Sequence, residues 1–121
     1  MLRDVHEVLG WVVVVANAVA GLFALAAWRW RALRGRALWV GVAAAQATVA
    51  LQVVLGVLLV TVGGLEQPDI HVFYGFVALI TVALMYAYRD LWRARRWLEL
   101  AYGLGGLFLM GLAIRAIVEL P

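Results

Sequence analysis

Two histidines carry what chemistry this chain can do. His6 and His71 are the only histidines in 121 residues, and the chain has no cysteine. Each is followed four residues later by a glycine, Gly10 or Gly75, and then by an aromatic, Trp11 or Phe76. Each also opens an apolar run of membrane-spanning length. If both runs cross a bilayer in the same direction, both imidazoles lie at one depth and can share one metal. Two imidazoles suit the axial positions of a haem iron. A closed zinc site would want three or four ligands. A glycine one turn below each histidine removes the side chain that would strike a flat macrocycle. The plainer alternative is that both histidines are interfacial polar residues and both glycines ease helix contact, as small residues do in membranes.

The elements that must hold this pair follow from composition. The chain is 67% hydrophobic and 14% charged, well outside the usual range for a soluble domain. A hydrocarbon core about 30 Å thick needs about 20 apolar residues of helix. Four runs qualify, residues 9–28, 38–62, 70–88 and 97–118. Backbone hydrogen bonding in lipid requires helices there, and short connections make neighbours antiparallel. The expectation is one all-α domain over residues 1–121, a four-helix transmembrane bundle with helices at about 5–28, 37–62, 70–89 and 96–118. Ala16-Asn17-Ala18 resembles a signal cleavage site, but Asp4 and Glu7 stand where a signal peptide wants positive charge, so the first run is read as retained.

Charge sets the expected orientation. All ten basic residues are arginine, and eight fall in two clusters: Arg29, Arg31, Arg34, Arg36, and Arg89, Arg93, Arg95, Arg96. These join runs one to two and three to four. The middle connection holds Glu66 and Asp69 and no base. Positive loops stay cytoplasmic, so both termini and the histidines should face outward. Trp28, Trp30, Trp92 and Trp97 flank the arginines as an interfacial aromatic belt. The pI near 10 therefore reads as a topology signal and a contact for anionic lipid, with no nucleic acid as partner. Asp69 and Asp4 are expected as N-caps of the third and first helices, Asp4 with Glu7 in a capping box.

Other polar groups each have two readings. Arg115 lies inside the fourth run, about one turn from its outer end. It is a candidate partner for haem propionates, with Arg3 a weaker one, or it snorkels and pairs with Glu119. Gln52 lies toward the outer side and could face a cofactor or a quinone-like ligand. With Asn17, Gln46 and Thr48 it could equally form interhelical hydrogen bonds. Tyr74, three residues past His71, should share its face. Glu99 suits the start of the fourth helix through the dipole. Gly103, Gly105, Gly106 and Gly111, with Gly41, Ala43, Ala44, Ala45 and Ala50 on the second helix, imply close helix approach, within the bundle or across a dimer.

The order of these residues is similar to a known family. His6 with Gly10, then Leu51-Gln52-Val53-Val54-Leu55-Gly56 leading to Thr61 and Gly63, a short proline-containing loop, and His71 with Gly75 resemble one four-helix half of the haem A synthase family of membrane haem proteins, over roughly residues 5–84. That resemblance implies His6 and His71 as axial ligands of haem b in the outer half. It also implies a homodimer that would rebuild the family's eight-helix arrangement, or a place in a respiratory or haem-biosynthesis complex. The departures are Arg3 where the catalytic half has glutamate, Glu7 where it has arginine, and no loop cysteines. They bear on oxidation of the haem methyl group more than on haem binding.

The reading is thus a tetraspan b-type haem protein of a bacterial cytoplasmic membrane, in electron transfer or haem handling. Enzyme and carrier are not separated, because six-coordinate iron has no open position unless one histidine dissociates. The alternative is a non-haem accessory subunit of a membrane complex. A transporter or channel would want a charge at the midplane, where the chain has only neutral groups.

Overall fold

A computed structural model describes residues 2–64, 66 and 68–118. Four long helices carry the fold: α1 (Leu2–Arg29), α2 (Arg36–Thr61), α3 (Asp69–Ala87) and α5 (Leu98–Val118), with a short α4 (Arg89–Ala94) between α3 and α5 and a 3₁₀ turn at Arg31–Leu33 before α2. The four long helices are each long and apolar enough to span a membrane, and no strand occurs among the described residues. The chain is an all-α, multi-pass membrane bundle.

Several element ends differ from expectation. The third span stops at Ala87 because Tyr88 takes φ −97°, ψ 6°, outside the helical well. The segment after it re-forms as α4. That short helix ends in paired bonds, Trp97 N–H to Trp92 O at 2.8 Å and Arg96 N–H to Arg93 O at 3.2 Å. Arg96 sits at φ 62°, which is the geometry of a Schellman stop with arginine in the position that glycine usually fills. Neither expected aspartate is a cap. The N-cap position of α3 is Pro68, with no side-chain bond; its carbonyl accepts from His71 N–H at 3.0 Å and Val72 N–H at 3.3 Å. Asp69 follows inside the first turn. Asp4 also lies within the first turn of α1, which begins at Leu2, and Glu7 reaches back to Arg3 at 3.8 Å instead of closing a capping box. Both aspartates still complement the helix dipole.

Packing is antiparallel around a ring in which α1 meets α5 and α2, α3 meets α5, and α2 and α3 touch least. α1 and α5 approach backbone to backbone. A Cβ on Gly106 would stand 2.9 Å from Gly21 Cα, and one on Gly103 would stand 2.6 Å from the Leu25 side chain. Without hydrophobic drive between helices in lipid, such close approach is a main source of association. It places Gly103 and Gly106 of the fourth span against α1, and Gly105 faces Met85 of α3. Gly41 and Gly111 meet nothing within 4 Å.

Buried polar groups tie the helices together. Asn17, 1% exposed, donates to Val13 O at 2.9 Å and Ala45 O at 3.4 Å. Tyr102 O–H donates to Met85 O at 2.8 Å, and Gln46 Nε2 lies 3.7 Å from Met85 Sδ. At the arginine end, Arg34 donates to Ala27 O at 2.8 Å and Trp28 O at 3.0 Å. These bonds satisfy carbonyls at the C-terminus of α1. Its guanidinium also lies 3.5 Å from Glu99, so the end of α1 is joined to the start of α5. The role expected of Glu99 was only with its own helix.

Candidate functional site

Because α2 and α3 pack loosely, the bundle leaves a partly open cavity of about 660 Å³ in its histidine half. All four long helices line it. Valines and leucines such as Val13, Val53, Leu109 and Leu112 form its inner walls, and the polar groups His6, Glu7, Gln52, Thr61 and His71 stand among them. Its volume falls in the range of about 300–1,000 Å³ typical of small-molecule and cofactor sites, which are also mostly apolar with a few placed polar groups.

The two histidines meet there. Their ring centroids are 6.2 Å apart and the ring planes are inclined at 71°. His6 is buried at 8% exposure; His71 is half-buried. Helix α1 and helix α3 lie diagonally across the ring and run in the same direction, so equal starting depth becomes spatial proximity. His71 Nδ1 lies 3.0 Å from Ala116 O. A carbonyl only accepts, so this nitrogen carries the proton and the Nε2 lone pair is left free. Gln52 Nε2 donates to His6 O at 2.8 Å and lies 3.5 Å from His6 Nε2. His6 Nδ1 and Gln52 Oε1 are buried without a hydrogen-bond partner.

The other predicted residues divide. Tyr74, Gly75, Gln52 and Gly10 all line the cavity. A Cβ at Gly75 would meet nothing within 4 Å, so this glycine opens directly onto free space. Gly10 does not open a matching slot. A Cβ there would lie 3.4 Å from Gln52 Nε2 and 3.6 Å from Ile117 Cδ1, so Gly10 serves the packing of α1 between α2 and α5. Arg115 is not brought to the cavity. It lies on the exposed side of α5, while its neighbours Ala116 and Ile117 line the site. One residue step is about 100° around a helix, which turns Arg115 away. Glu119, its proposed partner, lies outside the described residues, as do Leu65 and Gln67 of the α2–α3 turn. Arg3 is exposed beside Glu7.

Two contributors went unread in the sequence. Gly56 lies beneath His6: a Cβ there would stand 3.2 Å from His6 Cε1. The Leu55-Gly56 segment was noted, but nothing in it names the histidine as its neighbour. The Ala116 carbonyl that fixes His71 belongs to the backbone and carries no residue signature.

As for metals, no group of three or more His, Cys, Asp or Glu side chains is placed to hold an ion among the described residues. The ligand set on offer is the imidazole pair. Comparison of the chain with family models, with curated proteins and with solved structures gives no match.

Proposed function

We propose that this protein binds one haem b between His6 and His71 and serves electron transfer or haem handling, in the manner of one half of a haem A synthase-like protein. The observation that carries the reading is the 6.2 Å spacing of the two imidazoles at the polar end of an apolar cavity. An imidazole nitrogen binds a first-row metal at about 2.0–2.1 Å, and the ring centre lies about 1.2 Å behind it, so the observed spacing leaves room for one metal between the two rings. The donor set and the cavity volume fit the same group. Haem would supply one-electron redox chemistry, with a potential tuned by ligand identity, burial and hydrogen bonds.

The chain's own residues have distinct tasks in this reading. Ala116 O orients the His71 ring and favours Nε2 as the donor atom. Gln52 holds the His6 backbone. Gly75 leaves space where a side chain would intrude, Tyr74 offers an aromatic wall, and the valines and leucines of the cavity exclude water. The arginine clusters support an orientation with both termini outward in a bacterial cytoplasmic membrane. The small-residue surface of α2 around Ala43, Ala44 and Ala50 is exposed and would suit a homodimer in the membrane.

The test is a dithionite-reduced minus oxidised absorption spectrum of the purified protein, beside His6→Ala and His71→Ala. A low-spin b-type spectrum in the wild type, altered by either substitution, is the expected result. A wild type that holds no haem after expression with ample haem supply would replace this reading with that of a non-haem accessory membrane subunit.

A further inference from the structure

The two histidines are secured in different ways. The His71 ring is tethered, its Nδ1 lying 3.0 Å from Ala116 O. The His6 ring has no such tether. Its Nδ1 is buried with no partner, and its Nε2 faces only a donor, the Gln52 amide nitrogen at 3.5 Å, which also bonds the His6 carbonyl at 2.8 Å. Gln52 therefore holds the backbone of His6 more closely than its ring. What the ring rests on is the bare backbone of α2 at Gly56, where a Cβ would come within 3.2 Å of His6 Cε1.

Ligating imidazoles ordinarily give their second N–H to an acceptor, which orients the ring and raises its basicity; loss of that partner typically costs about 10–100-fold in metal affinity. His71 has this support and His6 lacks it. We infer that His6 is the exchangeable member of the pair, and so opens one coordination position to a small neutral ligand while His71 retains the group. The inference rests on the haem reading above. The ligand class follows from the surroundings. Val13, Val53 and Val57 line the cavity on this side, and its only charged lining residue is the acidic Glu7, so an anionic ligand would lose its hydration without gaining a partner.

Carbon monoxide added to the dithionite-reduced, haem-loaded protein is the probe. The wild type is expected to convert to a carbon monoxide complex. His6→Ala should keep its haem in a high-spin form and bind the gas about tenfold faster or more, whereas His71→Ala should lose haem by the larger factor, about 10–100-fold. Equal haem loss from the two histidine variants, or retention by His71→Ala and loss by His6→Ala, would overturn the asymmetry while leaving haem binding intact. A wild type without haem would remove the reading on which it rests.

Discussion

Gly21 of α1 and Gly106 of α5 meet with no side chain between them; a Cβ on Gly106 would lie 2.9 Å from Gly21 Cα and 3.2 Å from Asn17 O. Those neighbours are backbone atoms, which cannot move aside as a flexible side chain would. Gly106→Val should therefore force the helices apart and lower stability by about 1–3 kcal/mol or more, the usual range for overpacking. Gly111→Val, at a position with nothing within 4 Å, should be nearly neutral. Thermal unfolding of both variants in the same detergent checks the contrast, and equal effects would argue against this interface.

Gly75 separates cavity from scaffold. A side chain at this position enters free space, so Gly75→Leu should leave the helical melting curve within about 0.5 kcal/mol of wild type, as for substitutions that disturb no packed neighbour. It should nonetheless displace any ligand of the cavity, read as lost haem absorbance per protein. Full haem content in Gly75→Leu would show that the ligand lies elsewhere.

Gln52 bonds the His6 carbonyl, and interhelical hydrogen bonds in membranes average about 0.6 kcal/mol. Gln52→Leu should change stability by about that amount. Its effect on haem should fall on the His6 side, as a larger high-spin fraction with the haem retained through His71. The absorption spectra of the two haem-loaded proteins measure that fraction. A loss of stability without a change of spin state would assign Gln52 to packing alone.

Arg34 serves the α1 carbonyls and Glu99 at once. The Glu99 side chain is only 12% exposed. Arg34→Ala leaves both the carbonyls and this carboxylate without their donor and should cost about 1–3 kcal/mol. Glu99→Gln should cost less, since Arg34 keeps its two carbonyls. A double-mutant cycle yields the coupling between the two side chains, and a coupling near zero would reduce the pair to a surface contact.

Arg96 occupies the left-handed position that ends α4, at φ 62°. Arg96→Gly removes the Cβ penalty there and should raise stability by up to about 1 kcal/mol, less what glycine gives back in unfolded-chain entropy. A lower melting temperature for this variant would contradict the assigned stop geometry.

The spans were legible from the chain alone because bilayer insertion depends on local quantities: about 20 apolar residues of helix and the placement of charge at their ends. The shared level of His6 and His71 was legible for the same reason, since each opens a parallel span. Helix adjacency is not local. Whether the glycines of the fourth span faced α1 or a second copy depended on shape complementarity between residues 85 positions apart, Gly21 and Gly106, and only the packed bundle resolved it. The same holds for the site's details. Gly10 looked equivalent to Gly75 by spacing, yet α2 and α5 close over one and leave the other open. Arg115 had the right depth, but its helix rotation points it away from the cavity its neighbours line. The bond that secures His71 ends on the backbone oxygen of Ala116, a group every residue carries. Depth and span came from hydrophobicity summed along the chain, whereas rotation, adjacency and the partners of the histidines came from three-dimensional packing.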